Sequence, residues 1–289
     1  MSQVISIIFP IFAIVLAGFL YARYRGTDMV AANRLNIEIF TPALIFSILS
    51  SEGFDLVQYA DLAIGTAIVV LGTGLLVWPL TRLFNWPLPV FLPPMMFNNS
   101  GNMGLPLALF AFGEKALPAA MIMFLVENTL HFSVGNGIVT KSFSPLKLLR
   151  MPMLVATFAG IAVSMTQFPI WSPMAKSIDL LGEICIPLML FSLGVRMTGV
   201  NLKDWQIGLT GAVLGPAVSV AIAVAILPWL NLSELETAQL IVFAALPPAV
   251  LNYLVAERYD IDPPRVAAIV LLGNLASVVV IPLALLWVL

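Results

Sequence analysis

The fold is decided by one stretch, Leu92–Pro106, which reads LPPMMFNNSGNMGLP. It lies within residues 83–113, where no Asp, Glu, Lys or Arg occurs, so the segment is apolar enough to enter a membrane. A plain helix is not expected there, because Pro removes a backbone donor, Gly weakens a helix, and Asn and Ser compete for backbone groups. Interrupted backbone at membrane depth is tolerated where it lines a cavity or contacts protein. The stretch therefore predicts a broken membrane helix beside an internal cavity.

The rest of the chain has the composition of a membrane protein. Of 289 residues, 61% are hydrophobic and 10% are charged, against about 45–50% and about 25% in a soluble domain. A membrane-spanning helix needs about 20 mostly apolar residues, and the charges divide the chain into ten such segments joined by short loops. The predicted spans are residues 3–22, 31–51, 58–82, 88–112, 116–140, 149–167, 173–195, 205–230, 237–256 and 265–288.

The basic residues predict an orientation, because Lys and Arg in short loops are retained on the cytoplasmic side. Only Lys115 and Lys176 follow even-numbered spans, whereas eleven basic residues follow odd-numbered spans. This distribution places both chain termini outside the cytoplasm. The eleven residues are Arg23, Arg25, Arg34, Arg82, Lys141, Lys147, Arg150, Arg196, Lys203, Arg258 and Arg265.

The sequence contains an internal repeat. Residues 38–47, EIFTPALIFS, align without a gap with residues 183–192, EICIPLMLFS. Residues 92–98, LPPMMFN, align with residues 246–252, LPPAVLN, and shorter matches occur in the same order in both halves. We therefore expect a duplication, in which the second copy repeats the interrupted helix of the first.

The odd number of spans in each copy determines the architecture. The copies, residues 1–142 and 143–289, hold five predicted spans each, so the second must enter the bilayer from the opposite side. Many secondary transporters use such an inverted repeat for alternating access to a site near the midplane. We predict an all-α integral membrane protein of ten helices in which the broken helices 4 and 9 cross near the midplane. The residues expected to break them are Pro93, Pro94, Pro247 and Pro248.

The electrostatics of this crossing favour an anion. The half-helices that begin near Ser100 and after Pro248 direct free N–H groups and positive dipole ends at the break. Side-chain amides can hold a carboxylate, and no Lys or Arg is expected deep in any span. The alternative is a packed kink that neighbouring helices satisfy. The candidate substrate-binding residues are Asn98, Asn99, Gly101, Asn102, Asn128 and Asn252.

Ionisable side chains also fall within predicted spans, where a charge costs at least about 2.5–3.5 kcal/mol at the helix centre. Glu127 and His131 are four residues apart on one helix face, so they could couple transport to a proton. The structural alternatives are a satisfied pair or a protonated acid that holds another helix. We include Asn274 among the ion-coupling candidates. Glu38 and Glu183 occupy equivalent repeat positions, and we expect them to be a polar pair of structural importance.

Other function classes have little support. There is no phosphate-binding loop, no paired-histidine metal spacing and no basic surface for nucleic acid. Ser, His and acidic residues do not form a recognisable hydrolase constellation, so an enzyme is not expected. Cys185 is the single cysteine, which excludes an internal disulfide and a cysteine metal site. We expect no cofactor, although coupling to H⁺ or Na⁺ stays open.

Two motifs carry a family resemblance that covers nearly the whole chain. They are NSGNMGLPL at residues 99–107, and ALP at 245–247 followed by ERY at 257–259 and Pro263. With these motifs the chain resembles bacterial members of the auxin efflux carrier family, which include malate and malonate permeases and are related to the plant PIN-type carriers. The family also resembles NhaA-type antiporters and bile-acid transporters in architecture.

The resemblance implies several expectations. Helices 1, 2, 6 and 7 should form a scaffold domain, through which homodimers assemble, and helices 3–5 and 8–10 a transport domain that moves like an elevator. Both termini should be periplasmic, in a multi-pass protein of the bacterial inner membrane. The resemblance implies that Asn99 corresponds to the anion-binding asparagine of the family. Asn98 and Asn252 stand where plant members carry proline, and Glu127 stands where a neutral residue is expected, which leaves ion coupling open.

These observations together predict a secondary active or facilitative transporter of small organic anions, mono- or dicarboxylates. One alternative is a proton- or sodium-coupled symporter of another small solute. A second is a membrane ligand sensor that binds without transporting.

Overall fold

The computed structural model describes residues 2–51, 54–141, 148–198 and 204–289. Within these ranges every regular element is helical, and one isolated antiparallel bridge joins Asn98 to Pro248. Two basic residues of the charge count, Lys147 and Lys203, lie outside the described residues, as does the predicted boundary between residues 142 and 143.

The helices follow one another with short connections. In the first half they are α1 Ser2–Arg25, α2 Val30–Leu35, α3 Thr41–Leu49, α4 Ala60–Leu83, α5 Leu88–Met96, α6 Leu105–Phe112, α7 Leu117–Leu130 and α8 Asn136–Thr140. In the second half they are α9 Pro152–Thr166, α10 Ser172–Glu183, α11 Cys185–Arg196, α12 Trp205–Ile226, α13 Glu234–Ala244, α14 Val250–Tyr259 and α15 Pro263–Val288.

Three π-helical turns widen this helical framework. They lie at Asn36–Phe40 between α2 and α3, at Ser100–Gly104 before α6, and at His131–Gly135 between α7 and α8. Such turns are rare and occur frequently at functional sites. Short 3₁₀ turns at Val57–Tyr59, Glu114–Ala116 and Leu227–Trp229 adjoin α4, α7 and α12.

In the described part of the chain, six helices are long and apolar enough to cross a membrane. Two further predicted spans, 88–112 and 237–256, are interrupted in the middle, and the span at 149–167 is a shorter apolar helix. The total of ten spans therefore stays a prediction. The six long helices are Gln3–Arg25, Val57–Leu83, Glu114–Thr140, Ser172–Arg196, Trp205–Trp229 and Pro263–Val288.

The closest helix packing joins α1 to α11. A Cβ atom on Gly18 would overlap the backbone oxygen of Phe191, and one on Gly194 would overlap the backbone oxygen of Val15. Small residues at such positions allow two backbones to touch, which is the usual basis of helix association in a membrane. Large apolar side chains such as Phe9 and Trp229 are exposed on the outer surface, as expected of groups that face lipid.

Candidate functional site

Two interrupted helices meet at one place, which we call the crossing. Helix α5 ends at Met96 and α13 ends at Ala244, and the extended segments that follow run antiparallel. The Asn99 N–H donates to the Pro247 oxygen at 2.7 Å, and the Ala249 N–H donates to the Phe97 oxygen at 3.0 Å. A buried backbone group without a hydrogen-bond partner is costly. Each interrupted segment therefore supplies hydrogen-bond partners for backbone groups of the other.

Two asparagines strengthen this exchange. The Asn98 Nδ2 donates to the Phe243 oxygen at 2.8 Å, and the Asn252 Nδ2 donates to the Phe97 oxygen at 3.0 Å. Asn252 also donates to the Ala249 oxygen at 3.0 Å, so both of its amide hydrogens are used. Of the predicted substrate-binding residues at the crossing, Asn252 therefore uses both amide hydrogens on backbone oxygens of the two interrupted segments.

Asn274 holds the crossing from the side. Its Nδ2 donates to the Pro248 oxygen at 3.0 Å and to the Val270 oxygen at 2.8 Å, while its Oδ1 accepts from Asn99 at 3.2 Å. The neighbouring Gly273 lies against the ring of Pro248, where a Cβ atom would overlap. A structural role accounts for all the hydrogen bonds of Asn274, and ion coupling through it stays a prediction.

The prolines do not all lie where the sequence placed the breaks. Pro93 and Pro94 are inside α5, which continues to Met96, so they are not the interruption itself. The helix is interrupted at Phe97, whose backbone dihedral angles are extended. Pro247 and Pro248 do lie in the extended segment of the second copy.

A cavity of about 180 Å³, the crossing cavity, opens beside the two segments. All three π-helical turns contribute to its wall, as do the first residues of α14. Asn252 is not part of the wall, and Asn274 borders a neighbouring cavity instead. The candidate substrate-binding residues that do line it are Asn98, Asn99, Gly101, Asn102 and Asn128.

Glu127 and His131 both line the crossing cavity and are both buried, at 1% and 4% exposure. Glu127 accepts a hydrogen bond from the Ser100 hydroxyl. The His131 ring stacks on Phe97, with centroids 4.3 Å apart and an interplanar angle of 7°. The ion pairs of the described residues do not include these two. A direct structural pair, one of the alternatives from the sequence, therefore does not form, because the His131 ring is stacked on Phe97 and the Glu127 carboxyl is bonded to Ser100; coupling to a proton stays a prediction.

Arg196 is a site residue that the sequence reasoning missed. It is the last residue of α11, and it lines the crossing cavity together with Ser192 and Asn33. No Lys or Arg was expected deep in any span, and Arg196 agrees with that expectation because it reaches the cavity from the end of its helix. A long Arg side chain can bury its aliphatic part while its head reaches a polar region. The available signal was its position directly at the end of a predicted span.

Glu38 and Glu183 do not form a pair with each other. Glu38 pairs with Arg34, with Nε and Oε1 3.1 Å apart, and Glu183 pairs with Lys176, with Nζ and Oε1 3.9 Å apart. Their side chains are 52% and 66% exposed, and neither lines the crossing cavity. Each glutamate thus forms a local ion pair of its own, and the structural importance of the two equivalent positions stays a prediction.

Cys185 is buried, and its sulfur lies 3.3 Å from the Thr41 hydroxyl. Among the residues that the structure describes, no group of three or more His, Cys, Asp or Glu side chains is arranged to hold a metal ion. The polar side chains on the wall of the crossing cavity are thus six amides, three hydroxyls, one carboxyl, one imidazole and one guanidinium.

Comparison with known proteins gives a consistent assignment. The family described as "Membrane transport protein" matches residues 137–285, just over half of the 289-residue chain. A protein of Rhizobium meliloti (strain 1021) named "Putative malonate transporter" is 27% identical over 304 residues, covering 96% of this chain and 93% of its own. An uncharacterized transporter of Methanocaldococcus jannaschii is 25% identical over 272 residues, 87% of each chain. With its long apolar helices, this chain is a multi-pass membrane protein that belongs to the membrane transport protein family, the family of the auxin efflux carriers.

Proposed function

We propose that the protein is a secondary carrier of small organic anions, mono- or dicarboxylates, across the bacterial inner membrane. The observation that carries this proposal is a cavity bounded by two half-helix N-termini and by one guanidinium. The helical turn at Ser100 and helix α14 both begin at the wall of the crossing cavity. Helix N-termini favour negative charge, and Arg196 supplies a full positive charge with donors suited to a carboxylate.

The amide groups add neutral donors. Asn98 and Asn99 each have one amide hydrogen beyond the hydrogen bond described above, because a carboxamide carries two. Asn102 lines the same wall. The unpartnered Oδ1 of Asn98 suits a hydroxyl or protonated carboxyl group of a ligand.

The size of the cavity favours a small solute. Its volume of about 180 Å³ is below the roughly 300–1,000 Å³ of pockets that hold drug-sized ligands. The name of the Rhizobium relative refers to malonate, a dicarboxylate of three carbons. We therefore choose malonate as the first substrate to test.

We further propose that ten helices form the inverted repeat and that the carrier works by elevator-type alternating access. Reciprocal packing supports the repeat. Gly18 of α1 lies against the Phe191 backbone, and Gly160 of α9 lies against the Phe46 backbone, with a Cβ atom 3.4 Å from its oxygen. Residues 10–18, PIFAIVLAG, align with residues 152–160, PMLVATFAG, and Phe46 aligns with Phe191. The first predicted span therefore packs on the seventh as the sixth packs on the second. The same proposal includes dimerisation through the scaffold of predicted helices 1, 2, 6 and 7. It also includes a periplasmic location of both chain termini.

Purified protein in proteoliposomes tests the carrier function. Radiolabelled malonate, malate, acetate and a neutral amino acid are offered separately, and uptake is compared with empty liposomes. We expect carboxylate uptake and no uptake of the amino acid. Malonate, malate or acetate that binds in a thermal-shift assay but does not enter the liposomes would show a sensor instead of a carrier.

Two variants test the site. Asn99→Ala and Asn102→Ala should each lower subsaturating carboxylate flux at least about tenfold, since a hydrogen bond to a charged group contributes about 1.5–3 kcal/mol. Asn231→Ala is the matched control, because Asn231 is exposed and outside the cavity. Flux in both site variants equal to the control would refute this site.

A second candidate function is ion coupling through Glu127. Its carboxyl is buried, lines the crossing cavity and has no cation among the ion pairs of the described residues. A buried acid of this kind is expensive in a membrane unless it serves a function, and it can bind H⁺ or Na⁺. Uptake driven by an imposed gradient should be lost in Glu127→Gln while exchange at equal concentrations continues. If uptake by the native protein depends on neither an H⁺ gradient nor a Na⁺ gradient, ion coupling is refuted.

A further inference from the structure

Ser100 borders two cavities. One is the crossing cavity, and the other is a small cavity of about 20 Å³ lined by Gly104, Ala108, Phe112, Gln239 and Phe243 among others. Ser100 is 3% exposed, and its hydroxyl donates to Glu127. Ser100 is therefore the residue that the walls of the two cavities share.

Gln239 is the polar residue of this second space. It lies on α13 with 2% exposure, and neither its Nε2 nor its Oε1 has a hydrogen-bond partner among the described residues. Leaving a buried polar group unsatisfied costs about 1–3 kcal/mol. A carboxamide with both ends unpartnered therefore indicates a ligand that can donate and accept hydrogen bonds.

The volume of the small cavity identifies that ligand as water. A cavity needs roughly 10–15 Å³ to hold one water molecule and two to four polar partners to bind it. The small cavity provides about 20 Å³ and the polar groups of Gln239 and Ser100. The Ser100 oxygen can accept from this water, because a hydroxyl that donates one hydrogen bond still has two acceptor lone pairs.

The two cavities extend toward opposite ends of their helices. The small cavity reaches Phe112, the last residue of α6, next to Lys115. The crossing cavity reaches Arg196, the last residue of α11. Lys115 follows an even-numbered predicted span and Arg196 an odd-numbered one, so the charge distribution places these ends on opposite sides of the membrane.

We propose a proton route with three members, which are a water molecule bound to Gln239, the hydroxyl of Ser100 and the carboxyl of Glu127. The coupling ion of this carrier is then H⁺. In the inward step a proton from the aqueous phase on the Lys115 side enters the water, the water passes one proton to the Ser100 oxygen, and Ser100 passes its own proton to the Glu127 carboxylate, so the water and Ser100 end unchanged. Glu127 becomes a neutral acid, and it releases the proton to water in the crossing cavity after the substrate has left. One proton thus moves for each carboxylate, with no other reactant.

The surroundings of Glu127 leave it as the proton acceptor of this route. The other charged or titratable side chains on the wall of the crossing cavity are His131 and Arg196, and His131 stacks on Phe97. The wall of the small cavity carries no titratable side chain. The helices packed against α7 add none to either wall. Glu236, one turn from Gln239 on α13, is engaged with Ser233 in a capping box.

The test uses Gln239→Leu in proteoliposomes, with Gln206→Leu, an exposed glutamine on α12, as the control. Radiolabelled malonate exchange at equal pH measures carriage alone, and a pH dye inside the liposomes measures proton entry during malonate uptake. We expect exchange within about twofold of the native protein and a loss of at least tenfold in malonate-linked proton entry. The apolar replacement is expected to fold, because removing an unsatisfied polar group can be neutral or stabilising. The control variant Gln206→Leu should keep native malonate exchange and native proton entry.

The outcomes separate this inference from the proposed function on which it rests. If the native protein exchanges no carboxylate, the carrier function fails. If it exchanges malonate without proton entry, requires Na⁺, or keeps full proton entry in Gln239→Leu, the proton route is overturned. Should Gln239→Leu also lose exchange, Gln239→Glu decides, since its carboxyl can still hold the water. We expect Gln239→Glu to keep at least half of the native malonate-linked proton entry. A smaller proton entry in Gln239→Glu, or loss of its malonate exchange, overturns the route.

Discussion

Gly273→Ala tests the architecture of the crossing directly. A Cβ atom at this position would lie 3.0 Å from Cγ of Pro248 and still closer to its Cδ. Carbon atoms pack at about 3.5–4.0 Å, so the nearer carbon of the proline ring must move by at least about 1 Å. The Pro248 oxygen accepts from Asn274, and the adjacent Pro247 oxygen accepts from the backbone of Asn99. The displacement should therefore disturb both hydrogen bonds.

The expected cost can be stated because the chain offers a matched control. Overpacking a buried site costs about 1–3 kcal/mol, partly offset by the better helix propensity of Ala. Gly137→Ala has the propensity gain without the clash, since no atom lies within 4 Å of its added Cβ. At about 2–4 °C for each kcal/mol, the two variants should differ in Tm by about 2–12 °C, with Gly273→Ala the lower.

The assay is thermal unfolding of both purified variants in one detergent, followed by malonate exchange in proteoliposomes. Exchange should fall in Gly273→Ala and remain in Gly137→Ala. Adding Pro248→Ala, which removes the ring atoms in the way, should recover part of the lost Tm because the two sites are coupled. Equal Tm values for the two glycine variants would refute the close packing of Gly273 on Pro248.

Other predictions address charge, orientation and burial. Arg196→Gln should raise the KM for malonate about 10- to 100-fold, since a hydrogen bond to a charged group contributes about 1.5–3 kcal/mol, and Arg196→Lys should raise it less; an unchanged KM would remove Arg196 from the site. In intact cells an impermeant maleimide should label Lys115→Cys and not Arg150→Cys, and the reverse pattern would invert the topology. The native protein should resist the same reagent until it is unfolded, because Cys185 is fully buried; rapid labelling of the folded protein would contradict that burial.

The interrupted helices were predictable because their cause is local. Proline, glycine and asparagine within a charge-free segment exclude a plain helix wherever the rest of the chain lies. The match of residues 92–98 with 246–252 then located the second interruption. The exact end of α5 was not predictable, since Pro93 and Pro94 are the sixth and seventh of its nine residues and the helix still continues to Met96.

The direction of each polar side chain was much harder to predict. Asn252 satisfies the backbone instead of facing the cavity, which depends on how closely the second copy approaches Phe97. The His131 ring stacks on Phe97, the residue that follows α5, and helical periodicity within α7 carries no information on such a contact. Gln239 gives only a weak signal as one amide in an apolar segment, although its unpartnered ends distinguish it in the structure.

The shared hydrogen bonds of the crossing have a consequence for biogenesis. The Phe97 oxygen accepts from Ala249 and from Asn252, and the latter is 155 residues further along the chain. At a synthesis rate of roughly 5–20 residues per second, the first half waits on the order of 10–30 s for these donors. During that interval its open backbone must be sheltered from lipid by the insertion machinery, so the nascent chain is most vulnerable to quality control between insertion of its two copies.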